Sequence, residues 1–423
     1  MNDTMSPYQP PANNDTPLEQ PPLNGRIQTP QLTATQLTQV GAQAAKNGLT
    51  DVALIAFLRA VKEERRGDTL ANVANAMRQL WRFDEANKYI DEALQFAPQD
   101  GRVWGIKGAI LLDQNRSVEA IAAFQNSLLW GGAAPYTRFG LAEAQLHAGD
   151  FKHGLRGYEA RFEVNPPRLH AMPRWQGESL GDKILLVEAE QGFGDTFMFS
   201  RFLPRIPGNY IFSVQAQAVS LFGPETKRLG EAVRADFWCP LMSLPLILGS
   251  DITAALAFRP NRILPLTARG KFNIGIVWTS KAGGAGSPEE MRHGMQKSCP
   301  LEAFLELCEI DGVQLHSLQY DQDASAMTMD LVNQLPQYDF RDQAAHMMNM
   351  DLIISVDTAP IHLAATLGRP CIVLLNVCGS WQWGSGNTTP WYKTVRIVRQ
   401  PKAFDWRGAM AQAKEIVVEM MEI

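Results

Sequence analysis

From residue 34 to about residue 167, apolar side chains recur at helical spacing, and the pattern itself repeats. Aligning WRFDEANKYIDEAL (81–94), NRSVEAIAAFQNSL (115–128) and GDFKHGLRGYEARF (149–162) sets Ala86, Ala120 and Gly154 34 residues apart, with Ala53 33 residues before Ala86. Four positions after each stands a bulky residue: Phe57, Ile90, Phe124 and Tyr158. Twelve positions before each stands a small one: Gly41, Ala74, Gly108 and Ala142. Small residues let paired helices approach closely, and large ones fill the space between successive pairs, so the spacing predicts a stacked α-solenoid of four helix pairs over 34–167. A generic helical bundle gives amphipathic helices but no reason for the period. The concave face of such an array is by default a partner or substrate surface.

After residue 167 the period shortens. KILLVEAE (183–190), YIFSVQA (210–216), FNIGIVW (272–278), VQLHSLQ (313–319), DLIISV (351–356), CIVLL (371–375) and VRIVRQ (395–400) are continuous apolar runs of strand length. Helical stretches lie between them, notably 301–310 and 341–350. Apolar strands alternating with helices predict parallel sheets covered on both faces. Two doubly wound domains with a cleft between them are expected, at 168–265 and 266–423. Residues 1–33, rich in Pro, Asn and Gln, are expected to form a disordered tail.

Composition narrows the function only by exclusion. A hydrophobic share of 45% and a charged share of 20% are those of a globular protein, and a net charge of −5 gives no electrostatic case for nucleic acid. No apolar run reaches the length of a membrane span; LMSLPLILG (241–249) is expected to be core. The N-terminus has neither the basic nor the apolar region of a secretory signal. Five scattered cysteines without a C-x-x-C pair argue against zinc or a disulfide framework and suit a reducing cytoplasm. Cys371 and Cys378 are expected to be inert thiols in or beside the core.

Two strand ends carry unusual chemistry. Ligands of open α/β sheets bind beyond the carboxyl ends of the strands. In EAEQGFGDTF the strand gives way to a glycine turn, Asp195 and a helix, so backbone N–H groups and a carboxylate meet at the cleft. Asp at a helix N-terminus is equally a common cap. In SVDTAPIHLAATLGRP, Thr358 is placed to cap a helix and Pro360 suits its first turn. The same helix end offers N–H groups and a positive dipole to a diphosphate. His362, in the first turns, reads as packing or chemistry. Asp321–Asp323 spells a D-x-D triplet and is expected to be a solvated loop, not a metal site.

Two resemblances follow from these residues. The 34-residue units, with WGIKG (104–108) opening the third and Pro98 closing the second, resemble tetratricopeptide repeats. The stretches EQGFGDT, IGIVW, KSCPLEAF, LHSLQ, DLIISVDTAPIHLAATLGRPCIVLL and WQWGSGNTTPWYKTVRIVRQ, in that order, resemble heptosyltransferase-like glycosyltransferases of family 9. The implied fold is α + α/β: a tetratricopeptide-repeat solenoid followed by a GT-B pair of Rossmann-like domains, the first on the acceptor side and the second binding the donor. The implied activity is inverting transfer of a sugar from a nucleotide sugar to an acceptor hydroxyl, with no metal or cofactor.

The resemblance also implies roles for individual residues. Asp195 is the general base, with Gln191, Gly192, Gly194 and Thr196 forming its turn. Trp278, Lys297, Gln319, Asp357, Thr358, Ala359, Pro360 and His362 lie on the donor side, with Lys297 or Arg292 as the basic partner of the phosphates. Two features depart from the family pattern: the Gly-rich stretch 280–296, and Gln343 where a Thr is common. The repeats point to a protein acceptor. The competing expectation is a non-catalytic scaffold whose GT-B domain has lost activity, against which the retained Asp195 and the intact 355–375 block both argue.

Overall fold

The computed structural model of the chain describes residues 32–249, 270–280, 294–319, 331–335 and 339–422. The N-terminal tail, the expected domain boundary at 265, Arg292 and Asp321–Asp323 lie outside them.

Eight helices pair as the period requires: α1 (Ala34–Lys46) with α2 (Thr50–Glu63), α3 (Gly67–Gln79) with α4 (Phe83–Phe96), α5 (Gly101–Asp113) with α6 (Ser117–Leu129), and α7 (Ala134–His147) with α8 (Phe151–Gly157). The small positions lie at the crossings. A β-carbon at Gly41 would sit 2.5 Å from the Phe57 ring, and one at Gly108 would sit 2.8 Å from Phe124. Ala53, Ala74, Ala86, Ala120 and Ala142 are fully buried. The last pair departs from the others. Helix α8 stops at Gly157, and the chain tightens into a 3₁₀ turn over Tyr158–Ala160. Tyr158 therefore packs both on Phe139 of the solenoid (ring centroids 5.2 Å apart) and on Trp381 of the sheet region (5.6 Å).

Two parallel sheets follow. The first holds β1 (Ile184–Glu188), β2 (Asn209–Val214), β3 (Lys227–Arg228) and β4 (Phe237–Pro240), in the order β3-β2-β1-β4. The second holds β5 (Phe272–Val277), β6 (Val313–Ser317), β7 (Val332–Gln334), β8 (Leu352–Val356), β9 (Cys371–Leu375) and β10 (Val395–Arg399), in the order β10-β9-β8-β5-β6-β7. Every pairing is parallel. All seven expected strands are present. The three unexpected ones, β3, β4 and β7, are two to four residues long, too short to leave a run of apolar residues.

Side chains alternate between two cores because the strand period is two. Ile353, Cys371, Val373 and Leu375 enter one cluster; Leu352, Ile354, Val356, Ile372 and Leu374 enter the other, where Trp406, Met410 and Val417 of the C-terminal helix Trp406–Met421 cover them. The first cluster runs without a break from Leu146 and Tyr158 of the solenoid, through Val187 and Phe199, to Val373 and Trp383. Solenoid and sheets thus share a hydrophobic core. In each sheet the strand order reverses beside the strand that carries candidate chemistry: between β1 and β4 in the first, and between β5 and β8 in the second. Such switch points open crevices at the strand ends.

Candidate functional site

Beyond β1 the chain turns through Gln191, whose φ of 58° is a left-handed conformation uncommon outside glycine. Gly192 occupies the N-cap of helix Phe193–Phe199, and Asp195 is the third residue inside it. The Asp195 Oδ2 accepts the Gly192 N–H at 3.2 Å, so this carboxylate closes the turn from the third helical position and is not itself the N-cap. Its other oxygen is bonded from the second sheet domain: Gln382 Nε2 donates to Oδ1 at 3.1 Å. Thr196 is fully buried and holds the turn from behind, its hydroxyl on the Gly192 carbonyl (3.2 Å) and on Gln215 Oε1 (3.0 Å). Gln191 pairs with the Tyr158 hydroxyl of the solenoid (3.3 Å).

Beyond β8, Asp357 accepts three hydrogen bonds: from Lys297 Nζ at 2.7 Å, from the Trp383 indole at 2.8 Å and from the Ser380 hydroxyl at 3.3 Å. Helix Ala359–Thr366 begins next. Thr358 takes the extended N-cap conformation (φ −151°, ψ 170°), but its hydroxyl does not cap the helix. This corrects the expected cap. Pro360 lies in the first turn and has no N–H, and the N-cap side chain makes no hydrogen bond to the helix end among the described residues. His362 is buried, with Nδ1 at 3.0 Å from the Tyr392 hydroxyl, its ring stacked on Trp383 (4.7 Å) and Nε2 at 3.8 Å from Asp357 Oδ1.

The two strand ends face one cavity of about 560 Å³. Of the expected residues, Gly192, Gly194, Asp195, Lys297, Gln319, Asp357, Thr358, Ala359, Pro360 and His362 line it. Gln191, Thr196 and Trp278 do not. Trp278 follows Ile274 and Ile276 at the two-residue strand period into the core beneath helix Trp406–Met421, so its ring points away from the cavity. Gln191 lines a neighbouring cavity of about 490 Å³ with Arg161, Phe162 and Trp238.

Sequence reasoning missed Gln217, Thr279, Ser280, Asp339, Phe340, Ser380 and Gln382 among the lining residues. The W-x-W…W-Y segment was the available signal for Gln382 and Ser380. It supplies Trp383 to Asp357, Trp381 to Tyr158 and Phe199, and Trp391 to Phe151, while Arg201 of the first sheet domain donates to the Trp391 carbonyl at 2.6 Å.

The two carboxylates are tuned in opposite directions. Burial raises the pKa of Asp195, opposed by His362 and by the bonds from Gly192 and Gln382, and the balance stays above the usual value. Burial also pushes Asp357 upward, but the Lys297 ammonium and His362 outweigh it and hold this carboxyl far below the usual range. Such divergence marks acid–base sites. The cavity therefore offers a poised proton acceptor, a fixed anion salted to Lys297, and an uncapped helix end. Gln319 spends its side-chain oxygen on the N–H groups of Trp278 (3.2 Å) and Thr279 (3.0 Å), fixing the end of β5. Gln343 donates to the Leu318 carbonyl at 2.7 Å and also lines the cavity.

Residues 319–404 match the family model described as glycosyltransferase family 9 (heptosyltransferase). That segment includes Asp357, the helix after it and the loop with Ser380 and Gln382; Asp195 and Lys297 lie outside it. A curated relative, Protein FlbA of Caulobacter vibrioides, is 23% identical over 404 residues, which cover 82% of this chain and 65% of the relative. The chain thus spans about two thirds of that relative's length. Among solved structures, a Thermobaculum terrenum O-GlcNAc transferase is 11% identical with a TM-score of 0.34, covering 92% of this chain and 93% of that one. E. coli heptosyltransferase WaaC with ADP-2-deoxy-2-fluoro heptose is 13% identical with a TM-score of 0.39, covering 56% of this chain and 99% of that one. MamA is 16% identical with a TM-score of 0.26, covering 30% of this chain and 75% of that one. Glycosyl transfer is the general chemistry that the family match supports.

Proposed function

We propose that the chain transfers a sugar from a nucleotide-diphosphate sugar to an acceptor hydroxyl, with inversion and without a metal, and that the acceptor is a protein docked by the repeats. The observation that carries this reading is the pair of oppositely tuned carboxylates, Asp195 and Asp357, on one cavity at two sheet switch points. In the reaction, the acceptor oxygen attacks the anomeric carbon and its proton passes to the Asp195 carboxylate. The bond from that carbon to the phosphate oxygen breaks on the opposite face. The departing diphosphate meets the N-terminus of helix Ala359–Thr366 and the two Lys297 N–H groups not spent on Asp357. Asp357, held ionised, orients Lys297 and is placed to accept hydroxyls of the donor sugar. Free thiols at all five cysteines suit the cytoplasm, where nucleotide sugars are available.

Melting temperature measured against ADP-, UDP-, GDP- and CMP-linked sugars tests the reading, because a ligand bound only by the native state stabilises it. One class is expected to raise the melting temperature in a saturable way. Failure of all four would remove the donor site, and with it the proposal.

A further inference from the structure

Each repeat places one residue in the left-handed region at the turn between its helices: Gly48 (φ 74°), Trp81 (60°), Asn115 (59°) and Gly149 (84°). Each turn closes its first helix in the same way. The N–H groups of Leu49, Arg82, Arg116 and Asp150 bond back to the carbonyls of Ala44, Met77, Leu111 and Gln145 at 2.8–2.9 Å. Glycine is the residue this conformation favours, and a side chain is disfavoured there. Two of the four turns nonetheless carry side chains, and both side chains reach the second sheet domain. The Trp81 ring meets Phe404 at 5.0 Å, and Asn115 Nδ2 donates to the Val377 carbonyl at 2.6 Å. At Gly149 a β-carbon would meet nothing within 4 Å.

Asn115 is committed at both ends of its amide. With Nδ2 on Val377, its Oδ1 accepts from His147 Nε2 at 3.1 Å, which fixes the histidine's tautomer. Burial pushes the His147 pKa down to about 4, so the ring is neutral and its Nε2–H is the donor. Val377 is the second residue of the segment 376–384. In that segment Asn376 Oδ1 accepts the Cys378 and Gly379 N–H groups (3.0 Å each), Ser380 and Trp383 bond Asp357, and Gln382 bonds Asp195. The loop contacts both tuned carboxylates, and its entry is held from the solenoid.

We propose that Asn115, in the third repeat, is a positioning residue for the candidate site: it anchors segment 376–384 so that Ser380, Gln382 and Trp383 meet Asp357 and Asp195. The repeat array is then part of the site's framework as well as a docking surface. The anchor itself stands on geometry alone; its consequence for ligand affinity rests on the donor reading above.

Asn115→Gly separates this role from a turn role, because glycine keeps the left-handed turn and removes only the bridging amide. In the full chain, the melting temperature is expected to fall only by the modest amount that losing the two amide bonds to Val377 and His147 explains, while amide hydrogen exchange in 376–384 accelerates at least tenfold. Affinity for whichever nucleotide sugar stabilises the wild type is expected to fall severalfold. Gly149→Asn, at the turn with open space, is the control and is expected to leave that segment's exchange unchanged. Unchanged exchange in Asn115→Gly, or exchange accelerated equally throughout the chain instead of in 376–384, would overturn the proposal. If no nucleotide sugar binds even the wild type, the donor reading fails, and exchange alone still decides the anchor.

Discussion

Gly194 of the first sheet domain and His362 of the second lie so close that a β-carbon on residue 194 would stand 2.8 Å from the imidazole Cδ2. The ring has nowhere to retreat: Trp383 stacks on it and the Tyr392 hydroxyl holds Nδ1. The second glycine of the G-x-G turn is thus required by the meeting of two domains. A single methyl group at 194 must separate them or tilt the ring.

Gly194→Ala is therefore expected to destabilise the protein by about 1–3 kcal/mol, the usual cost of overpacking a fixed neighbour. The strain falls on the wall shared by Asp195 and Asp357, so any nucleotide-sugar affinity should weaken as well. Urea unfolding of the variant beside the wild type checks this. A stability within about 0.5 kcal/mol of the wild type would mean that the domains part freely at this contact.

Asp357 ties stability to acid. Its pKa is depressed in the folded state, so the stabilisation it provides is fully present above the ordinary carboxylate value of about 3.9 and is lost as pH falls below it. Replacing its principal partner, in Lys297→Met, should cost roughly 1.5–3 kcal/mol at pH 7, the scale of a charge-assisted hydrogen bond. The same variant should lose less stability than the wild type between about pH 5 and pH 2, because less of the depression remains to be lost. Denaturant midpoints of the two proteins across that range are the measurement. Parallel curves would show that Lys297 does not set the carboxyl's ionisation.

Much of this architecture is legible in the sequence because it rests on short-range rules. The 34-residue spacing of Ala86, Ala120 and Gly154, and of Gly41 and Gly108 against Phe57 and Phe124, follows from helices that must touch at small residues. The continuous apolar runs at β5, β8 and β9 follow from burial on both faces. Other features come from long-range contacts that leave no periodic trace. Gln382 reaches Asp195 across 187 positions and Asn115 reaches Val377 across 262. Trp278 is legible too, because strand parity continued past Ile276 puts it in the core. Thr358 shows the reverse case, a residue of the right type at the N-cap whose hydroxyl makes no cap.

Asp195→Asn makes the sharpest test of the site, because activity and stability should move in opposite directions. Losing a general base typically costs 10²–10⁴-fold in rate, so transfer should fall by about that factor with donor affinity kept. Folding should survive. The new carbonyl oxygen can take the Gly192 N–H in place of Oδ2, and the new amide N–H₂ then faces Gln382, whose Oε1 has no partner among the described residues. Rotation of the Gln382 amide would supply the acceptor. Stability should rise, because the folded-state pKa of Asp195 lies above the ordinary value. A raised carboxyl costs stability progressively as pH climbs from about 3.9 through its folded pKa, and an amide carries no such cost. The gain at pH 7 is expected to be roughly 0.5–2 kcal/mol, the scale of relieving a group held against its solvation. Single-turnover transfer, donor affinity and urea midpoints at pH 4 and pH 7 measure the three quantities. A variant that transfers at the wild-type rate would displace Asp195 as the base, and one less stable at pH 7 than at pH 4 relative to the wild type would show that burial does not strain the carboxylate.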